Sequence, residues 1–297
     1  MKTVTGGVHC VPFALFDESG KLDRGAMRDQ FQLMLDLGVD GFVVLGLATE
    51  VQKLDQTEQK QVISWAAEDI VDQVSLSVTI NGNSVAQQRE MTRFALDHGA
   101  ACMVLQPPAV GNYSGDTYID FFAQVAEGFD TAFAIQNAPQ YLGSALTDAQ
   151  VTTLQTRNQG FSVIKAEVSA LELAGLVGSL EHEMTVLNGR GGLELTDCLR
   201  AGADGFVLAP DMIDHSKKAF DFWQAGDHIE AEVTYGEVLP AIVFAMQSIE
   251  HLICYGKRIF GHRSGIPIHD RAPALRSTEY GENSARNWAD RLGSLTG

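Results

Sequence analysis

One phrase occurs three times in the chain, and it restricts the fold more than any other feature of the sequence. Three segments each join a glycine to a short apolar run: 37–46 (LGVDGFVVLG), 98–107 (HGAACMVLQP) and 201–210 (AGADGFVLAP). The glycine suits the left-handed residue that ends a helix, and the apolar run suits a strand buried on both faces. Because a segment with helical periodicity precedes each phrase, the chain is predicted to alternate helices with parallel strands.

Eight strands follow from this alternation. They are predicted near Gly7–Val11, Gly41–Leu45, Ser75–Ile80, Cys102–Leu105, Phe133–Gln136, Ser162–Lys165, Met184–Asn188 and Gly205–Leu208. Eight strand–helix units of this size match a (β/α)8 barrel, so the predicted fold class is α/β, a TIM barrel. The alternative is a doubly wound open sheet. That fold would be expected to carry a glycine-rich dinucleotide turn after the first strand, where this chain has Val11-Pro12-Phe13.

The pattern changes after Pro210, where predicted helices follow one another without strands between them. The longest, near 229–253, contains Pro240, which is expected to kink or break it. The chain is therefore divided into a barrel over residues 1–225 and a C-terminal helical extension over residues 226–297 that packs on the barrel. Asp211 and Asp214 are expected to cap the last barrel helix.

Composition excludes several classes of function. The chain has 38 acidic and 21 basic residues, and its formal net charge is −17. This balance argues against nucleic-acid binding, which needs a basic patch, and against docking on anionic lipid. No C-x-x-C pair suggests a disulfide or metal site, and neither a signal peptide nor a membrane span is predicted. A cytoplasmic protein is the expectation.

Lys165 is the residue that suggests a chemistry. It follows the apolar, strand-forming residues Val163 and Ile164, and it alone of the eight lysines falls at the end of a predicted barrel strand. Burial disfavours the charged form of a lysine, and the neutral amine attacks carbonyl groups to give a Schiff base. The alternative is that Lys165 lies just past its strand and extends its amine into water.

Other polar residues also follow predicted strands, at the end of the barrel where such folds place their chemistry. The two-residue period of a strand would point Glu167 the same way as Lys165, although Glu167 would also suit a helix cap. Segment 188–192 (NGRGG) precedes a helix predicted to open at Leu193. Its glycines and that helix start favour an anion, so Gly189 and Arg190 are candidates for binding a substrate carboxylate or phosphate. The alternative is a plain turn with a solvated arginine.

The motifs together resemble the dihydrodipicolinate synthase / N-acetylneuraminate lyase family. The resemblance covers most of the chain and rests on Pro12-Phe13, the 46–50 loop (GLATE), Pro107-Pro108, Asn137-Ala138-Pro139 and Ile164-Lys165. It implies a (β/α)8 barrel with C-terminal helices and a homo-oligomer, a dimer or tetramer. It also implies that Lys165 forms an imine with pyruvate or another 2-keto acid, without a metal or an organic cofactor.

The chain departs from the family pattern at several positions. Two family threonines that help to hold the keto-acid carboxylate correspond to Leu47 and Ala48, so the backbone amides of Ala48 and Thr49 are expected to bind it instead. The family's acid–base tyrosine corresponds to Gln136, which can only form hydrogen bonds. Gln136 and Asn137 are expected to orient substrate hydroxyls or a water molecule.

The lost tyrosine leaves the proton carrier open among Glu50, Glu167, His9, Tyr113 and Tyr141. Tyr141 stands where dihydrodipicolinate synthases place an arginine that holds an aldehyde substrate. The prediction is a Schiff-base lyase, an aldolase or dehydratase, acting on pyruvate or a 2-keto-3-deoxy acid.

Three alternatives remain beside this prediction. The protein would be a catalytically impaired keto-acid-binding or regulatory protein, a 4-hydroxy-tetrahydrodipicolinate synthase proper, or a phosphate-binding barrel enzyme that uses the glycine-rich loop 189–192.

Overall fold

The structure, a computed structural model, describes residues 4–180 and 184–296. Residues 1–3, 181–183 and 297, which the two predicted regions include, lie outside the described part. Eight parallel strands close into a barrel in chain order, which confirms the (β/α)8 prediction. The strands are β1 Gly7–Cys10, β2 Gly41–Val44, β3 Ser75–Ile80, β4 Cys102–Leu105, β5 Ala132–Asn137, β6 Phe161–Ala166, β7 Thr185–Asn188 and β8 Gly205–Leu208.

Helices surround the barrel and continue beyond it. They are α1 Arg24–Asp36, α2 Gln56–Ile70, α3 Val85–Asp97, α4 Gly115–Ala126, α5 Pro139–Leu142, α6 Asp148–Arg157, α7 Ala170–Ser179, α8 Leu195–Arg200, α9 Ile213–Gln224, α10 His228–Ala245, α11 Ile249–His251, α12 Lys257–Ser264 and α13 Glu279–Leu292. A π-helical turn, Leu252–Gly256, joins α11 to α12. Short 3₁₀ turns lie at Val51–Lys53 and Arg190–Gly192.

The repeated phrase forms the helix ends that the sequence predicts. Gly38, Gly99 and Gly202 have φ angles of 76°, 81° and 98°, a region that residues with a Cβ avoid. Each of these glycines ends a helix and turns the chain toward a strand whose residues are all buried. The phrase therefore sets the alternation of the barrel.

Helix α10 differs from the prediction at Pro240. The helix runs from His228 to Ala245 and contains the proline without ending there. Proline removes one backbone hydrogen bond, but residues on both sides of it, such as Val238 and Ile242, are fully buried. Packing on the barrel therefore holds the helix through the site of the lost bond.

No single helix in the described ranges has the length and hydropathy to span a bilayer. Helix α10 and the segment Ile249–Ser264 reach that composition only as a pair, across a bend of 102°.

A buried ion cluster ties the extension to the barrel. Lys257, on α12, pairs with Glu50 from the loop after β2 and donates to the carbonyl of Ala14 at 2.8 Å. Lys53 binds the other oxygen of Glu50 at 2.6 Å and donates to the carbonyl of Arg271 at 3.1 Å. Since both oxygens of Glu50 are paired and its side chain is buried, this residue joins elements, and the structure assigns it no place beside Lys165.

Candidate active site

Lys165 lies near the carboxyl end of β6, in register with Gln136 on β5 and Leu187 on β7. The residue is only 5% exposed, so the alternative of an amine extended into water is wrong. Its Nζ lies 2.9 Å from Oε1 of Glu167, and both side chains are buried. Lys165 and Glu167 thus form an ion pair inside the mouth of the barrel, where an unpaired charge would be costly.

A chain of amide side chains holds Glu167 from the other side. Nε2 of Gln136 donates to Oε1 of Glu167 at 2.6 Å, and Nε2 of Gln106 donates to Oε1 of Gln136 at 2.8 Å. Gln88 on α3 supports this chain by donating to the backbone carbonyl of Gln106 at 2.9 Å. All three glutamines are buried, and Gln106 and Gln136, at the ends of β4 and β5, orient the carboxylate toward Lys165.

The sequence missed the part played by Gln106. Its signal was a polar residue placed directly between the apolar strand β4 and two prolines.

Glu167 does not cap the next helix. The N-cap of α7 is Ser169, which forms a capping box with Glu172. Glu167 instead packs against Gly189, where an added Cβ would lie 2.7 Å from its Cγ. A glycine at position 189 therefore leaves the space that the Glu167 side chain occupies.

Arg190 and Tyr141 line the same cavity as Lys165. Arg190 adopts a left-handed conformation, with φ of 54°, and its Nη1 binds Oε2 of Glu194 at 2.7 Å. Its Nε is buried without a partner among the described residues, so the arginine is not a solvated turn residue. Burial and the charge of Glu167 raise the pKa of the Tyr141 hydroxyl, and Arg190 opposes this shift.

The helix predicted to open at Leu193 begins later, so a helix start does not support the predicted anion site, and the binding roles of Gly189 and Arg190 stay predictions. Residues 190–192 form a 3₁₀ turn with a non-helical Gly191, and α8 begins only at Leu195. The N-cap position belongs to Glu194, whose carboxylate binds Arg190. The carboxylate of Glu194 thus already pairs with Arg190 at the start of α8.

Thr49 is also unavailable to a substrate carboxylate. Its hydroxyl donates to the carbonyl of Pro12 at 2.8 Å, and its backbone N–H donates to the carbonyl of Gly46 at 3.0 Å. Ala48 lines the cavity of Lys165, and within the described ranges its backbone N–H has no intramolecular partner. Of the two predicted amides, only that of Ala48 remains available.

Asn137 faces away from Lys165. Its side chain donates to the carbonyl of Leu146 at 3.0 Å and accepts from the Leu146 N–H at 2.8 Å. Both groups of the Asn137 side chain are thus used in holding Leu146, and its role in orienting substrate stays a prediction. Successive strand residues point to opposite sides, so Gln136 faces the lysine and Asn137 holds the loop before α6.

Two further proton-carrier candidates lie elsewhere. His9 binds the carbonyl of Thr5 at 3.0 Å, and burial lowers its pKa. Tyr113 is 52% exposed and stacks edge-on with Tyr118. Neither side chain lines the cavity of Lys165, whereas Glu167 and Tyr141 do.

The two aspartates after β8 do not cap α9, whose N-cap is Met212 without a side-chain bond. Asp214 instead pairs with Arg263 at 2.6 Å. Asp211 is buried, its Oδ2 has no partner among the described residues, and burial raises its pKa to about 7.

The cavity around Lys165 has two kinds of wall. Its charged and polar side chains are Lys165, Glu167, Arg190 and Tyr141, and its apolar side chains are Val11, Leu47, Ala48, Val207, Ala209, Met246, Ile249 and Leu252. Such a site suits a small molecule with one polar reacting end. Among residues 4–180 and 184–296, no three His, Cys, Asp or Glu side chains come together as metal ligands would.

Comparison with known proteins agrees with this geometry. The family model described as the dihydrodipicolinate synthetase family matches residues 5–276. The chain belongs to this family. The lyases and aldolases of the dihydrodipicolinate synthetase family therefore set the general class of its activity.

Individual relatives are distant but cover most of the chain. The chain is 25% identical over 278 residues to the probable 2-dehydro-3-deoxy-D-pentonate aldolase YjhH of Escherichia coli K12, with 89% of each chain covered. It is 23% identical over 273 residues to a 4-hydroxy-tetrahydrodipicolinate synthase of Haloarcula marismortui, covering 91% of this chain and 87% of that one. The structure of E. coli YagE in complex with pyruvate aligns with a TM-score of 0.89 and 22% identity, over 97% of this chain and 98% of YagE. These proteins share the fold, and their names differ in substrate.

Proposed function

We propose that the protein is a Schiff-base lyase, an aldolase or dehydratase, that acts on pyruvate or a 2-keto-3-deoxy acid through Lys165. The observation that carries the proposal is the buried pair of Lys165 and Glu167, 2.9 Å apart inside the barrel mouth. A buried amine beside a proton acceptor supplies the nucleophile and the base that imine formation needs.

Glu167 is the proposed proton carrier. Its carboxylate accepts a proton from Lys165, and the free amine attacks the keto carbon of the substrate. Loss of water from the adduct gives the imine, which draws electrons from the neighbouring carbon. Removal of a proton from that carbon then leaves an enamine. Cleavage of its bond to a hydroxyl-bearing carbon gives the same enamine, as that carbon's hydroxyl loses its proton to a base and departs as an aldehyde. The Gln136 amide cannot release a proton to the substrate. Its hydrogen bond of 2.6 Å to Glu167 holds that carboxylate in place.

The keto-acid carboxylate is proposed to bind the free backbone N–H of Ala48, with Arg190 and Tyr141 in the same cavity. Leu47 and Ala48 supply no hydroxyl groups, which separates this site from the threonine pattern of the family. The substrate is a small molecule, and we further propose a cytoplasmic homo-oligomer, a dimer or tetramer, in which residues 1–225 form the catalytic barrel and residues 226–297 the extension.

Exchange of the methyl protons of pyruvate for deuterium tests the proposal, because exchange needs both the imine and a base. NMR of pyruvate in deuterated water is expected to show enzyme-dependent exchange, abolished in Lys165→Ala. Glu167→Gln is expected to slow it by about 10²- to 10⁴-fold.

Two outcomes would count against the proposed roles. Full exchange in Glu167→Gln would remove the assignment of Glu167. An imine that forms without any exchange would favour the binding protein over the lyase.

A further inference from the structure

A second cavity opens directly onto the first. Its volume is about 780 Å³, within the usual range for small-molecule sites, whereas the space beside Lys165 is about 40 Å³. Leu47, Tyr141 and Ile249 line both spaces, so the two cavities are neighbours. We call these spaces the outer and inner cavity.

The two volumes suit different parts of a substrate, a small reacting head and a larger tail. The inner cavity accommodates only a few water-sized groups, which suits a three-carbon keto-acid head. Anything bonded beyond the reacting carbon has to pass Leu47 and Tyr141 and enter the outer cavity. The outer cavity therefore bears on which partner carbonyl the enzyme accepts.

The C-terminal extension supplies much of the outer wall. Its segments 247–250 and 273–275 face the loop after β2 and helix α5 across the cavity. Apolar residues dominate this wall, with Ile249, Ile253 and Leu275 as the large ones. Leu275 is 40% exposed at the rim, although large apolar side chains are usually buried.

Charge in the outer cavity opposes an anionic tail. The cation there is Lys53, and it is already held by Glu50 at 2.6 Å. Glu250 stands on the same wall, where a hydrogen bond from Ser248 lowers the pKa of its carboxyl. The remaining polar side chains include the uncharged Gln52 and Gln140. Among the described residues no unpaired cation lines this cavity, so a phosphate or carboxylate would meet repulsion here.

We propose that the outer cavity binds an uncharged aldehyde with an apolar body, an aliphatic chain or an aromatic ring, as the partner of pyruvate. The inference rests on the proposed function, since the aldehyde reacts with the enamine on Lys165. The enamine carbon bonds to the aldehyde carbon, the aldehyde oxygen gains a proton and becomes a hydroxyl, and water releases the 4-hydroxy-2-keto acid from the lysine. The reverse reaction returns pyruvate and the aldehyde.

Condensation of pyruvate with three aldehydes tests this proposal. We would compare benzaldehyde, D-erythrose and D-erythrose 4-phosphate by product formation with the full-length enzyme. The kcat/KM for benzaldehyde is expected to exceed that for D-erythrose, and to exceed that for the phosphate at least tenfold. A higher value for either sugar aldehyde would overturn the proposal.

Two exposed leucines give a matched pair of variants. Leu275→Glu adds a charge at the rim of the outer cavity and is expected to raise the KM for benzaldehyde at least fivefold. Leu171→Glu makes the same change on α7, where the side chain is 87% exposed and lines neither cavity, and is expected to leave KM unchanged. Equal effects of both variants would contradict the assigned site.

Trapping of pyruvate by borohydride separates the two proposals. If pyruvate is trapped on Lys165 but no aldehyde preference appears, the proposed function stands and the outer-cavity inference fails. If pyruvate is not trapped at all, the proposed function itself fails.

Discussion

Two lysines, Lys165 and Lys257, are buried and each is paired with a glutamate, yet their surroundings differ. Lys165 faces a cavity, whereas Lys257 is enclosed by Glu50, the carbonyl of Ala14 and the ring of Phe16. Burial lowers the pKa of the Lys257 ammonium, and Glu50 opposes the shift. Burial by itself therefore does not mark a reactive amine. Access to a space that a carbonyl compound can enter distinguishes Lys165.

Single residues were only partly predictable. The two-residue period of β6 placed Glu167 beside Lys165, because that period is local to the strand. Local patterns could not predict that Thr49 binds the carbonyl of Pro12 or that Asn137 binds Leu146, because both partners come from other loops. The burial of Lys257 on α12 depends on the same kind of distant contact.

Asp211 predicts a pH dependence of stability. Its pKa is raised to about 7 in the folded protein, chiefly by burial, from an ordinary value of 3.8. Between these values the folded state holds a proton that the unfolded chain has lost, so the free energy of unfolding falls as pH rises through this window. Asp211→Asn removes the effect. Its stability relative to the wild type is expected to grow by up to about 4 kcal/mol between about pH 4 and pH 8.

Urea unfolding of both proteins at the two pH values measures this difference. A constant difference across the window would show that Asp211 does not titrate there.

At the scale of elements, the loop after β2 connects the site to the extension. Leu45 and Glu50 both adopt left-handed conformations, with φ angles of 61° and 54°, at the two ends of this loop. Such conformations are costly without glycine and persist where surrounding contacts hold them. Between them, Leu47 and Ala48 line the inner cavity while Glu50 binds Lys257.

The positions of most strands and helices followed from local patterns, and their boundaries followed less closely. Strand β5 runs from Ala132 to Asn137, whereas the sequence predicts Phe133–Gln136. Helix α2 begins at Gln56 because Asp55 caps it in a box with Glu58. Pro240 is expected from the sequence to kink or break α10, and the break is overridden by tertiary packing. Propensity thus located the elements, and contacts with neighbours fixed their ends.

The Glu50 pair predicts non-additive stability changes. Lys257→Met leaves a buried carboxylate with only Lys53 as partner and is expected to lower the free energy of unfolding by about 3 kcal/mol. Adding Glu50→Gln is expected to restore part of this loss, since the buried carboxylate is then gone and only the partly buried Lys53 stays charged. Urea unfolding of the wild type, both single variants and the double variant completes the cycle. Additive losses would contradict the pairing.

At the scale of the whole molecule, the barrel and its C-terminal helices were predictable from the repeated strand–helix pattern. The arrangement of the extension over the mouth was not, because it depends on contacts such as Lys257 with Glu50, 207 positions apart. That arrangement supplies Met246 and Leu252 to the inner cavity and most of the outer wall. The barrel thus contributes Lys165 and Glu167 to the inner cavity, and the extension lines much of the outer cavity.

The central claim is that Lys165 forms an imine with a 2-keto acid. Intact mass after borohydride treatment with pyruvate, followed by peptide mapping, tests it most directly. The account predicts one pyruvate adduct on the peptide that contains Lys165, absent in Lys165→Ala and retained in Lys257→Met. An adduct on Lys257, or no adduct with pyruvate or larger 2-keto acids, would contradict it.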